Sequence, residues 1–399
     1  MNVSRRAERV DSAIREASTK ASDLERTGTA LLDLSIGDPV RYGFKTPTHV
    51  KSALKDAVDA DANYYSQAEG LEVLREAIAE RERIFNGAQF DSKDVIVTNG
   101  ISEGLQFVIG ATLNRGDEVL LPGPCYPPYM SYTRFFEGKP INYRTVEKDS
   151  WNPDLIDVQK KINKRTKLLV VLNPNNPTGA IYDSKCLSRI VDMAASHDLT
   201  LVSDEVYDRF VYDSTFTSLA ALSKDVPLIG LNGFSKAHMM TGWRLGYVYF
   251  QDPGGVLTGI QEAVTKLSRL RLCPNTPVQM AGLAALRGSQ VHVEGMVAEL
   301  KKRRDLVWKS ICNINGLSVS KPEGAFYIFP KIDDIALWGN DEKFVSELLE
   351  RFGVVAVHGS GFDPMYGAGH FRLTFLAHER ILEEAMRRLR QFMNQKTRT

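Results

Sequence analysis

The sequence has 399 residues, of which 43% are hydrophobic and 25% are charged, and its formal net charge is +1. This balance is typical of a globular protein rather than a disordered chain, and the near-neutral charge without blocks of like residues argues against DNA or RNA as a ligand. No stretch is apolar enough to cross a bilayer or to act as a secretory signal, so we expect no membrane association and a cytoplasmic location.

Seven strand-like runs follow one another from about residue 94, separated by longer amphipathic stretches. In chain order they read DVIVTN, DEVLLP, INYRTV, KLLVVLN, LTLVSDE, VPLIGLN and LGYVYF. Alternation of this kind predicts a sheet covered by helices, and runs such as LLVVL are apolar throughout, as strands buried on both faces are. The predicted fold class is therefore α/β, with a mostly parallel seven-stranded sheet.

The pattern of predicted helices and strands changes after about residue 290. A long charged helix, VEGMVAELKKRRDLVWKSI, leads to the strand-like runs GAFYIFPKI, VVAVHG and HFRLTFL and to a closing helix, ERILEEAMRRLRQFM. A chain of this length is longer than a single hydrophobic core usually stabilises. We expect a large domain over residues 45–290 and a smaller α+β domain built from residues 1–44 and 291–399, with a cleft between them.

Four cysteines are scattered along the chain, at positions 125, 186, 273 and 312. Their spacing matches neither a zinc site nor a disulfide framework. We expect reduced thiols and no bound metal.

Polar residues follow the ends of several predicted strands, among them Asn176, Asp204, Tyr207 and Lys236. In an open α/β sheet the carboxyl ends of the strands meet at one crevice. A lysine in a partly buried, electropositive setting has a lowered pKa, so its neutral amine can bond covalently to a carbonyl. Taken alone, Lys236 would more often be an ordinary surface lysine.

Eight segments together change that interpretation. They are DLSIGDP, NYYSQAEGLEVLREAI, PGPCYPPY, NPNNPTGA, SDEVYD, NGFSKAHMMTGWRLGY, RLCPNTPVQ and GAGHFRLTF. In this order they resemble the class I aminotransferases, which are pyridoxal-phosphate enzymes of fold type I, from about residue 30 to the C-terminus. The resemblance is greatest to the archaeal and bacterial alanine aminotransferases of that family.

The resemblance implies roles around the ring of pyridoxal 5'-phosphate. Lys236 would hold the aldehyde carbon and serve as general acid and base, and Asp204 would pair with the ring nitrogen. Tyr207 and Asn176 would donate hydrogen bonds to the phenolic oxygen, and Tyr126 would stack on the ring face.

The phosphate of the cofactor needs several donors. The resemblance assigns them to the start of a helix, to two hydroxyl side chains and to a guanidinium, namely Gly100, Ile101, Ser102, Ser235 and Arg244. A helix N-terminus attracts anions through its free N–H groups, and arginine suits a bidentate contact to phosphate. Family members also take a phosphate-binding tyrosine from the partner subunit, which matches Tyr65 here and implies a homodimer with shared active sites.

The substrates implied are small amino acids and 2-oxo acids. Arg372 would bind the substrate carboxylate, assisted by the backbone amide of Gly37 and by Asn176. Arg372 lies in an apolar run, where an unpaired charge is costly, so a carboxylate partner is expected. The resemblance implies a ping-pong reaction in which L-alanine and 2-oxoglutarate give pyruvate and L-glutamate.

Substrate choice stays open in the sequence, because differences of one methylene in a pocket are not readable from spacing. Aspartate, aromatic or broad specificity are alternatives, with Arg41 and Arg271 as candidates for a second cation and Tyr42, Phe44 and Tyr129 as candidate pocket walls. A pyridoxal-phosphate lyase would use the same lysine and aspartate, since fold does not settle reaction type. A DNA-binding regulator of this fold is disfavoured because no helix-turn-helix segment is recognisable.

Overall fold

The fold is described here from a computed structural model, for residues 3–10, 12–26, 28 and 30–396. Within these residues the α-helices are α1 (Ala13–Arg26), α2 (Thr48–Asp59), α3 (Glu72–Asn86), α4 (Ile101–Thr112), α5 (Pro128–Phe135), α6 (Leu155–Lys161), α7 (Ser184–Ser196), α8 (Leu219–Leu222), α9 (Thr258–Leu270), α10 (Thr276–Arg287), α11 (Val291–Cys312), α12 (Asp341–Phe352) and α13 (Glu379–Lys396). The strands are β1 (Leu32–Asp33), β2 (Val95–Thr98), β3 (Glu118–Gly123), β4 (Lys139–Val146), β5 (Asn152–Pro153), β6 (Thr166–Leu172), β7 (Thr200–Asp204), β8 (Leu228–Gly233), β9 (Gly246–Gln251), β10 (Leu317–Ser318), β11 (Tyr327–Ile328), β12 (Lys331–Ile332), β13 (Val354–Val355), β14 (Val357–His358) and β15 (Phe371–Thr374).

A central sheet runs in the order β2-β9-β8-β7-β6-β3-β4-β5. Strands β3, β4, β6, β7 and β8 pair in parallel, whereas β9 is antiparallel to both of its neighbours. All seven predicted strands are present, which confirms the predicted α/β class. The sheet has an eighth strand that we did not predict, the two-residue β5, which pairs antiparallel with β4 at the edge. A proline is tolerated at such an edge position.

Both faces of the central sheet are covered by helices, which explains the continuously apolar strands. In β6, Leu169 and Val171 belong to the hydrophobic cluster that includes α7, while Leu168 and Val170 belong to the cluster that includes α4, α5 and α9. Successive side chains of a strand point to opposite faces, so a strand between two helical layers must be apolar at every position.

A second group of short sheets is built mainly from residues after 290, as the change in sequence pattern predicts. Strands β11, β15 and β14 make a three-stranded antiparallel sheet, and β1 pairs in parallel with β13. Helices α11, α12 and α13 supply Leu300, Phe344 and Leu389 to the hydrophobic cluster around it. Tyr207 and Phe210 belong to the same cluster, so packing is continuous across the predicted boundary, and the division into two domains stays a prediction.

The register of the central sheet gathers polar groups at one edge. Leu172, Asp204 and Leu231 lie side by side near the carboxyl ends of β6, β7 and β8, and α4 begins at the same edge. This is the edge at which ligands bind in open α/β sheets. In the described part of the chain, every helix is too short or too polar to cross a lipid bilayer.

Candidate active site

A cavity of about 510 Å³ opens at this edge of the central sheet. Most of the predicted site residues line it: Gly37, Ile101, Ser102, Tyr126, Asn176, Asp204, Tyr207, Ser235, Lys236, Arg244 and Arg372. They come from segments far apart in the chain, so the cavity exists only in the folded protein. Two other predicted residues, Gly100 and Tyr65, are not among its lining residues.

Lys236 follows β8 and lies inside the cavity, where its Nζ donates a hydrogen bond to the carbonyl oxygen of Gly37 at 2.7 Å. The pKa of the lysine is lowered to about 8, chiefly by burial, with the nearby guanidinium charges of Arg244 and Arg372 adding to the effect. The carboxylates of Asp38 and Asp204 oppose this effect. A lysine with this pKa supplies a neutral, nucleophilic amine near physiological pH.

Asp204 ends β7 and is only 7% exposed. Its carboxylate accepts hydrogen bonds from the hydroxyl of Tyr129 at 2.8 Å and from the backbone N–H of Val206 at 3.3 Å. Burial raises the pKa of Asp204 to about 6, and the bond from Tyr129 holds it down. Tyr129 is fully buried and is not among the lining residues, so its interpretation as a pocket wall was wrong.

A pair of tyrosines lies on the side of the cavity formed by β11. The hydroxyl groups of Tyr207 and Tyr327 are 2.7 Å apart, and burial raises the pKa of both phenols. Tyr327 lines the cavity but was not among the predicted site residues. The sequence marks its segment only as a strand, and the pairing of β11 with β15 that brings Tyr327 to the site is a long-range contact.

Arg372, on β15, is 1% exposed. Its guanidinium donates hydrogen bonds to Oδ1 of Asn176 at 2.9 Å and to the carbonyl oxygen of Ser35, and its Cζ lies 4.6 Å from the centre of the Tyr327 ring. The buried Nε has no hydrogen-bond partner among the described residues. Burial lowers the pKa of the guanidinium, but an arginine side chain still carries its charge. The cavity therefore contains a buried cation that an anionic ligand would stabilise.

The cavity also combines a helix N-terminus with a second arginine. Gly100 precedes α4 and has φ +81°, and a Cβ at this position would lie 2.3 Å from Nη2 of Arg244, so only glycine fits without displacing the arginine. Arg244 donates to the carbonyl oxygen of Thr241 at 2.9 Å. With the hydroxyls of Ser102 and Ser235 nearby, these groups form a donor set that could hold a phosphate.

Two of the predicted residues lie elsewhere. Tyr65 is 79% exposed on the outer surface. Arg271 is only 12% exposed, and its guanidinium donates to the carbonyl oxygens of Ala68 and Val97 and lies 3.7 Å from Glu103. Arg271 is therefore not a cation of the cavity, and that suggestion was wrong.

The two remaining pocket-wall candidates are also not lining residues. Tyr42 donates its hydroxyl to the carbonyl oxygen of Asp33 at 2.6 Å, and Phe44 packs under the guanidinium of Arg303. The neighbouring Arg41 does line the cavity, beside Asp38.

The first turns of α1 and the residue just before it also line the cavity, which the sequence did not reveal. Ser12, Ile14, Arg15 and Ser18 face it. The N-terminal segment shows only the mixed charge of a surface helix, and nothing local indicates which surface it covers. Among the described residues, no group of three His, Cys, Asp or Glu side chains is placed to hold a metal ion.

Comparison with known proteins identifies the family of the chain. Residues 29–389 match the family described as aminotransferase class I and II. The structure is similar to that of an alanine aminotransferase from Pyrococcus furiosus, with a TM-score of 0.96 and 48% identity, covering 99% of this chain and 100% of that one.

Two curated relatives are similar over most of their length. An alanine aminotransferase of Mycobacterium tuberculosis is 37% identical, covering 94% of this chain and 88% of the relative. A glutamate-pyruvate aminotransferase of Haemophilus influenzae is 36% identical, covering 94% and 93%. The resemblance noted in the sequence is confirmed, and the chain belongs to the class I and II aminotransferase family.

Proposed function

We propose that the protein is a pyridoxal-phosphate-dependent alanine aminotransferase, which converts L-alanine and 2-oxoglutarate to pyruvate and L-glutamate. The observation that carries the proposal is one cavity that contains both a buried lysine with a lowered pKa and a buried guanidinium with an unpartnered N–H. Transamination needs the first group to move a proton and the second to bind an amino acid carboxylate. The names of the relatives support alanine as the amino donor.

The donor set of the cavity fits pyridoxal phosphate. The anion site at Gly100, Ser102 and Arg244 suits its phosphate, and the buried Asp204 carboxylate suits a protonated ring nitrogen. Tyr126 and Tyr207 line the same cavity and offer aromatic surface for the ring. When bound, the cofactor supplies an electron sink that makes the α-proton of an amino acid acidic.

Each side chain then has a distinct task. Lys236 would anchor the cofactor through its amine and, once displaced by the substrate amine, would take up the α-proton of the substrate and hold it for return. Asp204 would favour a positive charge at the ring nitrogen. Arg372, with Asn176 and the backbone of Gly37, fixes the substrate carboxylate so that the α-hydrogen faces the amine.

The test is to mix the cofactor-loaded protein separately with alanine, glutamate, aspartate and phenylalanine and to follow the absorbance of the bound cofactor in single turnovers. We expect fast conversion by alanine and glutamate and slower conversion by the other two. Fast conversion by aspartate or phenylalanine would keep the reaction but replace the substrate with the aspartate, aromatic or broad alternative. No conversion by any of the four would contradict transamination.

A lyase reaction is the more distant alternative, because it would use the same Lys236 and Asp204. The same mixtures distinguish it when pyruvate and ammonia are assayed without any 2-oxo acid present. An aminotransferase releases at most one pyruvate per active site under these conditions, whereas a lyase continues to turn over.

A homodimer completes the proposal, with Tyr65 reaching the phosphate site of the partner subunit. Tyr65 is 79% exposed and the adjacent Tyr64 is 56% exposed, so both side chains are free to contact a second copy of the chain. A cytoplasmic location fits the free thiols of the four cysteines.

The hydrogen bond from Tyr129 to Asp204 leads to a prediction about pH. Binding of pyridoxal phosphate to the cofactor-free protein should strengthen as pH rises through about 6, because the charged carboxylate favours a protonated ring. In Tyr129→Phe the charged form loses a donor, so the pKa of Asp204 rises and the acid limb of binding moves up by about one pH unit. Affinity measured by absorbance between pH 5 and 8 checks this, and an unmoved limb would contradict it.

A further inference from the structure

One cavity has to accept two side chains of different chemistry if the proposed function holds, and this inference rests on that function. Alanine offers only a methyl group, whereas glutamate and 2-oxoglutarate carry a second carboxylate. Arg372 can bind only the carboxylate that both substrates share. A second cation is needed to favour the dicarboxylates, but it must not be left buried and unpaired when alanine is bound.

The candidates for this cation differ in what already surrounds them. Arg271 is excluded because it lies outside the cavity lining and is held by backbone carbonyls. Arg41 lines the cavity with its Nε 3.9 Å from the carboxylate of Asp38. Arg15 also lines the cavity, and among the described residues no carboxylate oxygen lies within 4.0 Å of its guanidinium, in contrast to Arg41.

Arg15 also lines the same cavity as Arg372 and Tyr126. The positive charges of Arg372 and Arg15 both act on the ring of Tyr126, where they lower a phenol pKa that burial raises to about 12. Arg15, Arg372 and Tyr126 therefore belong to one cavity lining, and both guanidinium charges reach the same phenol.

The packing of α1 fixes where Arg15 is presented. Ala13 is buried against Gly361, where a Cβ would lie 2.2 Å from the Ala13 methyl group. Gly361 precedes Phe362, whose ring centre lies 4.9 Å from Cζ of Arg372. The loop that packs against the start of α1 thus also packs against Arg372, so the backbone that carries Arg15 and the side chain of Arg372 contact the same segment.

We infer that Arg15 binds the distal carboxylate of glutamate and 2-oxoglutarate while Arg372 binds the α-carboxylate. Arg15 is exposed to solvent, so its charge stays hydrated when alanine occupies the site and little free energy is lost. A bidentate contact with a dicarboxylate adds binding free energy only for the longer substrate. This arrangement lets one site accept both members of an alanine–glutamate pair.

The test replaces Arg15 by glutamine in the cofactor-loaded protein and measures single-turnover kcat/KM for glutamate and for alanine. We expect the ratio of the glutamate value to the alanine value to fall by about tenfold to a hundredfold, the range for loss of a hydrogen bond to a charged group. Arg26→Gln is the matched control, because Arg26 lies on the same helix, pairs with Asp23 and is outside the cavity lining. Its ratio should stay at the wild-type value.

Binding of unreactive acids gives a second readout, by calorimetry with glutarate and with butyrate, which lacks the distal carboxylate. Wild-type protein should bind glutarate more tightly than butyrate, and Arg15→Gln should lose this preference. An equal loss for both acids and both amino acids would show that α1 is only a structural cover and would overturn the inference. A selective loss in Arg41→Gln, with none in Arg15→Gln, would also overturn it.

The proposed function and this inference fail in different ways. If wild-type protein converts neither alanine nor glutamate, the proposed function is wrong and no substrate pair remains for Arg15 to distinguish. If wild-type protein converts both and Arg15→Gln keeps the same ratio and the same preference for glutarate, the function stands and only the role of Arg15 is wrong.

Discussion

Lys236→Ala is expected to reduce transamination by at least about ten-thousandfold, the upper part of the range for loss of general acid–base catalysis. The variant removes the side chain that we propose both as the anchor for the cofactor and as the amine that moves the α-proton. It leaves Asp204, Arg244 and Arg372 in place, so the cofactor and the substrate carboxylate keep their noncovalent partners. Single turnovers with alanine, followed by cofactor absorbance and by pyruvate release, measure the loss.

The matched control is Lys93→Ala, since Lys93 lies on an exposed turn before β2 and is not a lining residue. Its activity should equal that of the wild type. Near-normal turnover in Lys236→Ala would mean that another group is the base, and the assignment would be wrong.

The lowered pKa of Lys236 gives the same prediction a pH dependence. In the cofactor-free protein the amine loses its proton as pH rises through about 8, so covalent capture of pyridoxal phosphate should accelerate over that range. Lys236→Ala should show no covalent capture at any pH. With a lysine of ordinary pKa, the rate of covalent capture would rise only at about pH 10 and above.

The strands of the central sheet could be predicted because their signal is local. Seven runs are apolar at every position since helices cover both faces, and a window of a few residues is enough to show this. Strand β5 gave no such signal, because two residues that include Pro153 are too short for a pattern. Its pairing depends on where the preceding turn places it against β4.

The same distinction between local and long-range signals applies to the residues of the candidate site. Residues within recognisable segments, such as Lys236 and Asp204, were predicted because the segment itself identifies them. Tyr129, Tyr327 and Arg15 were misassigned or missed because each reaches the site through long-range packing. The hydrogen bond between Tyr129 and Asp204 spans 75 residues of sequence, and no local pattern reports that distance.

Asp204→Asn is the second variant for which we expect a large effect, a loss of about a hundredfold to a thousandfold in transamination. Asparagine keeps the size of the side chain and can still accept from the N–H of Val206, but it carries no charge to hold a proton on the ring nitrogen. Activity and the pH dependence of cofactor binding are the measurements. The acid limb near pH 6 should disappear, because no group at this position titrates there.

Asp183→Asn is the matched control for that variant. Asp183 caps α7 by accepting from the N–H groups of Lys185 and Cys186, and asparagine caps a helix about as well as aspartate. The control should keep full activity. Because burial without a full ion-pair partner destabilises the charged form of Asp204, Asp204→Asn should melt no earlier than the wild type in the absence of cofactor. An activity loss accompanied by a lower melting temperature would attribute the effect to folding, whereas loss at unchanged stability assigns it to the charge at the ring.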